Sequence, residues 1–334
     1  MGELILTPTD EMSYQEWLQY RKSGIGASEV GSILGLSSYT SSIEIFYEKI
    51  NPIAVPKVEN IYMFMGKELE SFVAKMWEYW EGSEESMIEN FRANKKVREC
   101  HELKAYVVNS DYPHLFVSLD RVIVSTSERR PILEIKTISG YESNKWEGGV
   151  PPSYIMQIQQ QMGVYKSLEA EKALFKDGRR LEVLPFEFNP GIFETIVTRT
   201  TEFWNNVLLG REIYAAIQEA ELSFNLRRVE WLTAELQQLE PSPDGSEAYQ
   251  DYLKERYKIA KPGEISGTQE HFEAAVREKD FKSRIKELTE YQRKEQNFLC
   301  RELADMQVMT FGENGIVSWK TDVNGKRRFH NGIK

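Results

Sequence analysis

The chain has 334 residues, of which 41% are hydrophobic, and its formal net charge is −10. This length and hydrophobic content suit one large folded domain or two modest ones, while the negative charge argues against a protein that coats nucleic acid over its whole surface. Two cysteines and four scattered histidines exclude a disulfide framework, a four-cysteine zinc site and an iron–sulfur cluster, and leave carboxylates as the expected metal ligands.

The sequence contains no apolar run near the roughly 18 to 20 residues that cross a bilayer. Its first residues also lack the basic and apolar regions of a signal peptide. We therefore expect a soluble, cytoplasmic protein without a membrane partner.

The first predicted elements are a helix over residues 14–22, capped by Ser13, and a second helix after the glycine loop Ser23-Gly24-Ile25-Gly26. Free backbone amides at a helix N-terminus attract phosphate, and Ser28 and Arg21 would add a hydroxyl group and a charge. Taken alone, these residues are better explained by a plain turn with an ordinary N-cap.

Residues 66–80 form a predicted amphipathic helix. Its apolar stripe consists of Leu69, Phe72, Val73, Met76 and Trp80. Glu68 and Glu70 flank this stripe, and periodicity alone does not decide which of the two side chains points inward.

Two short apolar runs, residues 115–120 and 132–137, are separated by the polar turn 125–130. This pattern predicts a β-hairpin. Because side chains alternate along a strand, Glu134 and Lys136 share one face, and Asp120 on the neighbouring run adds a second acid.

These charged residues on apolar strands indicate a metal site. Carboxylates that are buried close together need a cation, and a Mg²⁺ held by two carboxylates and water provides one. The oxygen ligands favour Mg²⁺ or Mn²⁺ over Zn²⁺. The alternative is a solvated hairpin face on which Asp120, Glu134 and Lys136 form surface ion pairs.

A helix over residues 152–165, with Ser153 as its N-cap, is predicted next, and it places Gln157 and Gln161 one turn apart. Strands at 172–175 and 181–188 and a helix over 190–209 follow. This order of elements predicts an α/β fold around a mixed sheet.

The composition beyond residue 220 changes to charged helical sequence. A long helix over 280–308 is predicted, followed by a hairpin that turns at 312–315 and continues into 316–320. We therefore place a core at 1–210 and a mainly helical extension at 211–334.

Several of these segments, taken together and in order, resemble the YqaJ-like viral recombinase (phage lambda exonuclease) family of the PD-(D/E)XK nuclease superfamily. They are residues 17–21, GIGASE at 24–29, ILGLS at 33–37, Gly66 to Glu70, SLD at 118–120, EIK at 134–136 and YIMQIQQQM at 154–162. The resemblance implies a restriction-endonuclease-like core with a central mixed β-sheet flanked by helices.

The resemblance also assigns roles to individual residues. Asp120, Glu134 and the backbone carbonyl of Ile135 would bind the metal, Glu70 would complete the site, and Lys136 would orient or activate the attacking water. Gln157 would support the site. The resemblance further implies that the 5′-phosphate of a DNA end is bound by Arg21, Ser28 and Ser118.

The sequence departs from the family pattern at two positions. Leu119 replaces the usual proline, and Arg121 stands where a glycine often follows the aspartate. Neither change removes a metal ligand. Arg121 could contact the phosphate backbone or simply point to solvent.

The activity that the resemblance implies is digestion of the 5′ strand of linear double-stranded DNA to mononucleotides, with two Mg²⁺ (or Mn²⁺) ions per site, leaving 3′ single strands for recombination. An endonuclease or a 3′-directed nuclease on the same core, and a catalytically silent recombination scaffold, are the alternatives. The resemblance further implies a trimeric ring, a RecT-type single-strand annealing partner, and the host cytoplasm as the location if a phage encodes the chain.

Overall fold

The computed structural model describes residues 2–56, 59–139, 146, 149–260, 262–322 and 325–333. The chain divides into two compact units, Met1–Lys258 and Ile259–Lys334. None of the helices in these described ranges is long and apolar enough to cross a membrane.

The first unit contains nine described helices and nine strands. The helices are α1 (Tyr14–Arg21), α2 (Ala27–Ile33), α3 (Ser42–Ile50), α4 (Ile61–Trp77), α5 (Glu84–Arg92), α6 (Pro152–Tyr165), α7 (Pro190–Leu222), α8 (Leu226–Gln238) and α9 (Glu247–Arg256). The strands are β1 (Leu4–Pro8), β2 (Ile25–Gly26), β3 (Cys100–His101), β4 (Ala105–Asn109), β5 (Leu115–Ser118), β6 (Arg121–Ile123), β7 (Ile132–Ile138), β8 (Glu169–Lys176) and β9 (Arg180–Glu187).

The strands form two sheets, one with the order β1-β4-β5-β2 and one with the order β3-β6-β7-β8-β9. Each sheet is mixed, because β2 runs parallel to β5 and β7 runs parallel to β8 while the other pairs are antiparallel. The predicted mixed α/β architecture with a mainly helical C-terminal part is therefore confirmed.

The principal core lies where α6 crosses the four-stranded sheet. Ile158 and Met162 of α6 are fully buried in the same cluster as Leu115 and Val117 of β5. Helix α2 packs against α6 at Gly31, where an added Cβ would lie 2.7 Å from the Cβ of Ser153. Only glycine allows this close approach.

The predicted hairpin is wrong in one of its strands. Residues 115–118 form β5, which pairs with β4 and β2, whereas β7 pairs with the short strand β6. The chain passes from one sheet to the other at Leu119, which is buried in the core, and Asp120. The apolar pattern predicted the strands correctly, but it contains no information about which backbone groups pair.

Helix boundaries differ from the predictions where a cap or a proline decides them. Helix α6 begins at Pro152 with Pro151 as its N-cap, so Ser153 is not the cap; proline suits a first turn because no hydrogen-bond donor is needed there. Helix α4 begins earlier, at Ile61, after the capping side chain of Asn60.

The inward face of α4 also differs from the predicted stripe. Val73, Ala74 and Trp77 are buried, whereas Phe72 is 47% exposed. The helix packs on β7 and β8. The buried face there is rotated by about one residue from the apolar stripe that periodicity predicts.

Helix α7 continues through Leu222, well past the predicted end at 209. The predicted boundary between core and extension at 210 therefore falls inside a continuous helix, and the compact first unit extends to Lys258.

The second unit consists of helix α10 (Gln269–Leu303) and a three-stranded antiparallel sheet, with strands β10 (Val308–Thr310), β11 (Gly315–Thr321) and β12 (Arg327–Ile333). The long helix and the hairpin are confirmed, and β12 is an additional strand. Arg327 fixes β12 to β11, because its guanidinium carbon lies 3.8 Å from the Trp319 ring centroid.

Candidate active site

A cavity of about 720 Å³ opens between α4 and β7. Its polar wall carries Glu70, Asp120, Glu134 and Lys136, and Tyr39, Tyr62 and Met63 line another part. The structure thus brings together, in one cavity, the four charged residues that the sequence singled out for catalysis.

Asp120 lies at the step between β5 and β6, and the backbone of β7 holds it in place. The Ile135 amide donates to Asp120 Oδ2 over 2.7 Å. Burial raises the pKa of Asp120 well above its ordinary value, and the charges of Glu134 and Glu70 raise it further. The site therefore concentrates negative charge that a bound cation would stabilise.

Glu134 is buried, and two glutamines of α6 hold its carboxylate. Gln157 Nε2 donates to Glu134 Oε1 and Gln161 Nε2 donates to Oε2, each over 2.6 Å. Two residues spaced i, i+4 lie on one helix face, so α6 presents both amides to the same acid. The sequence placed Gln161 one turn from Gln157 but gave it no role.

Glu70 faces the cavity, whereas Glu68 is exposed. Arg121 Nη1 donates to Glu70 Oε1 over 2.5 Å, and the arginine is only 7% exposed. The interpretation of Arg121 as a residue that points to solvent is therefore wrong, while its contact with phosphate stays a prediction. The buried guanidinium instead neutralises Glu70 and ties α4 to β6.

Two lysines lie close to the ring of Tyr154 on α6. Lys136 Nζ lies 5.3 Å and Lys172 Nζ 4.8 Å from the ring centroid. Lys172 belongs to β8 and is the register partner of Glu134 across the parallel pair. The sequence analysis gave Lys172 no role, although a lysine at the start of the apolar run 172–175 was a visible signal.

The buried acid Glu29 holds the glycine loop before α2 in place. Glu29 accepts from the Gly26 amide over 2.8 Å and pairs with Lys49 at 2.9 Å and with Arg21 at 3.2 Å. Glu29 and Lys49 are both almost fully buried. This network fixes Arg21 beside the first turn of α2, where Ser28 is exposed.

Sheet topology relates this loop to Ser118. Strands β2 and β5 are parallel with Gly26 opposite Phe116, so Ser28 and Ser118, each two residues farther along, lie at the same end of the sheet. Both serines are exposed. The buried side chain of Gln160 holds the two strands together by donating to the Ile25 carbonyl over 3.0 Å and to that of Phe116 over 3.3 Å.

The cavity's donor set fits a small oxygen-loving cation. Asp120 and Glu134 provide two carboxylates, and Mg²⁺ in proteins is commonly held by one or two carboxylates plus water. Among the residues that the structure describes, no group of three His, Cys, Asp or Glu side chains is arranged to hold a metal. The pairing of Glu70 with Arg121 is consistent with that result, so a two-carboxylate site is the arrangement that this structure presents.

Two comparisons with known proteins find similarity to YqaJ-like sequences. The family model described as "YqaJ-like viral recombinase domain" matches residues 16–169. The chain is 28% identical over 327 residues to "Uncharacterized protein YqaJ" of Bacillus subtilis (strain 168), an alignment that covers 96% of this chain and 88% of that protein.

Among solved structures, the chain is similar to the alkaline exonuclease LHK-Exo from Laribacter hongkongensis, alone and in complex with dAMP. The TM-scores are 0.48 and 0.49, with 19% identity in both cases, and each match covers 62% of this chain and 98% of that chain.

Proposed function

We propose, from the match of residues 16–169 to the YqaJ-like viral recombinase domain model, that the chain is a Mg²⁺-dependent nuclease of phage-type homologous recombination. The observation that carries the proposal is the convergence of Asp120, Glu134 and Lys136 on one cavity. Two fixed carboxylates beside a lysine form the arrangement that phosphodiester hydrolysis with a divalent cation requires.

Asp120 and Glu134 would hold the cation, joined by the Ile135 carbonyl and, after release from Arg121, by Glu70. A bound Mg²⁺ would lower the pKa of water and offset the charge of the phosphate, and a second ion would stabilise the leaving oxygen. Lys136 would orient the attacking water and compensate the charge that develops on the phosphate oxygens. Gln157 and Gln161 would keep Glu134 in position while the phosphorus–oxygen bond breaks.

We propose that the enzyme starts at a 5′ end and digests that strand of linear duplex DNA to mononucleotides. Free amides of α2, together with Ser28 and the fixed charge of Arg21, suit a terminal phosphate. Ser118 lies at the same end of the sheet and only two residues before Asp120. A terminal phosphate bound there would lie close to the catalytic cavity, which favours removal of one nucleotide at a time.

The test is digestion, with Mg²⁺, of three substrates: linear duplex with 5′-phosphate, linear duplex with 5′-hydroxyl, and covalently closed circles. Wild type should degrade only the linear forms, fastest with the phosphate, and release label from the 5′ strand. Glu134→Ala should be inactive, and the matched control Glu68→Ala, at an exposed site, should keep full activity.

Other outcomes would overturn parts of the proposal. Cutting of the closed circle would indicate an endonuclease, and release of label from the 3′ end would reverse the polarity. A chain that cleaves nothing with Mg²⁺ or Mn²⁺ would be a silent recombination scaffold.

The family resemblance also leads us to propose a trimeric ring that encloses DNA and a RecT-type single-strand annealing partner. A ring would let a chain with a net charge of −10 hold DNA inside a locally basic channel. Sedimentation equilibrium of the full chain tests the trimer, and co-purification with the annealing protein tests the partner.

A further inference from the structure

Lys172 is a buried charged residue that the mechanism above does not use. Its side chain is 0% exposed, and within the described ranges its Nζ has no hydrogen-bond partner. Burial of an ammonium group without a hydrogen bond is costly, and an apolar side chain of the same size would avoid that cost. The lysine therefore calls for an explanation in terms of its surroundings.

The surroundings of Lys172 are the acids of the catalytic cavity. The lysine sits opposite Glu134 in the β7–β8 register. Burial lowers the pKa of Lys172, while the nearby charges of Glu134 and Asp120 raise it and that of Lys136 lowers it. The ring of Tyr154, 4.8 Å away, provides the cation with an electron-rich face. Lys172 thus lies, fully buried, next to the candidate metal ligand Glu134.

The other basic groups near the cavity already have a partner or face its opening. Glu70, Asp120 and Glu134 line the cavity together with Lys67 and Lys136, and Lys67 pairs with Glu59. Arg121 is committed to Glu70, and Lys136 borders the open cavity. Lys172 is thus the buried basic group that adjoins the Asp120–Glu134 pair.

We propose that Lys172 is a positioning residue that acts as a built-in counter-cation of the Asp120–Glu134 pair. It offsets the charge of the two carboxylates before a divalent ion arrives, and it opposes the binding of that ion. The affinity of the free protein for metal is therefore lower than the two carboxylates alone would give. This inference rests on the proposed function, because it takes Asp120 and Glu134 as the metal ligands.

The test is calorimetric titration of the full-length protein with Mn²⁺ in the absence of DNA. Lys172→Met keeps the length of the side chain and removes its charge, so Mn²⁺ should bind more tightly, by a factor on the order of 5 to 100. The matched control Lys176→Met, on the same strand but in a surface pair with Glu182, should bind as wild type does. General damage to the fold would weaken binding, so an increase in affinity is not explained by a merely structural role.

The outcomes separate this inference from the proposed function. If wild type binds no Mn²⁺, or if Glu134→Ala binds it as well as wild type, the metal site itself is wrong. If binding requires Glu134 but Lys172→Met binds Mn²⁺ no more tightly than wild type, the counter-cation role is wrong. Circular dichroism reports whether Lys172→Met folds, and if it does not, Lys172→Gln, a smaller uncharged substitution, is titrated with the same expectation.

Discussion

The replacement of Gln161 by leucine tests how the support of Glu134 contributes to the site. Gln161 is 2% exposed and donates over 2.6 Å to a buried carboxylate. A hydrogen bond to a charged group contributes about 1.5 to 3 kcal/mol. The Oε1 atom of the same glutamine is buried and has no partner within the described residues, so leucine also removes an unsatisfied acceptor that costs about 1 kcal/mol. We expect Gln161→Leu to lower the free energy of unfolding by about 0.5 to 2 kcal/mol.

The same substitution should weaken metal binding more than it weakens the fold. Loss of a hydrogen bond to a ligating side chain typically lowers metal affinity by about 10- to 100-fold. Urea denaturation measures the stability and calorimetry with Mn²⁺ measures the affinity, and both should fall in Gln161→Leu. Gln157→Leu should weaken Mn²⁺ binding similarly but cost less stability, because Gln157 is less buried than Gln161.

Gln159→Leu is the matched control on the same helix. Its amide joins the Glu187 carbonyl and the Asn189 amide, away from the cavity, so it should reduce stability while the Mn²⁺ affinity stays at the wild-type value. The reasoning is refuted if Gln161→Leu and Gln159→Leu change Mn²⁺ affinity equally, since the effect would then be one of general stability.

Two further predictions concern buried charges. Arg121→Met leaves Glu70 without its cation and should lower the free energy of unfolding, measured with urea, by about 2 kcal/mol. The loss is smaller than for a fully buried pair because the Glu70 side chain is 32% exposed. An unchanged urea midpoint would contradict this role. Glu29→Gln leaves the buried Lys49 without its acidic partner and should lower the free energy of unfolding by about 3 kcal/mol at neutral pH. It should also slow digestion of 5′-phosphorylated ends. Burial raises the pKa of Glu29, but Lys49 and Arg21 outweigh it and hold that pKa below its ordinary value of 4.5. The contribution of ionised Glu29 to the free energy of unfolding is therefore complete above that value and is lost as pH falls through the lowered pKa. The stability difference between wild type and Glu29→Gln should shrink on acidification. A difference that grows instead would rule out a lowered pKa.

The sequence identified the acids of the cavity because their signal is local. Asp120, Glu134 and Lys136 are charged residues at or next to short apolar strands, and alternation along the strand places Glu134 and Lys136 on one face. The structure places all three on one cavity, although Asp120 reaches it from a step between two sheets.

The buried ion pairs were not predictable in the same way, because their partners are distant in the sequence. Arg121 is 51 positions from Glu70, and Lys49 is 20 positions from Glu29. A charged residue in sequence gives no indication of which acid will meet it after folding, and exposure is the usual outcome for such residues. Only the packing of α4 on the sheet and of α3 against α2 determines these pairs.

Helix α6 has a consequence for how the chain tolerates changes in length. Gln157 and Gln161 hold Glu134, and Tyr154 lies beside Lys136 and Lys172. Gln160 donates instead to backbone carbonyls of β2 and β5. A single inserted or deleted residue would turn everything beyond it by about 100° and break the supports of both regions at once. Point substitutions in α6 can be accommodated one at a time, whereas an altered residue count cannot, and variation in chain length must therefore fall outside this helix.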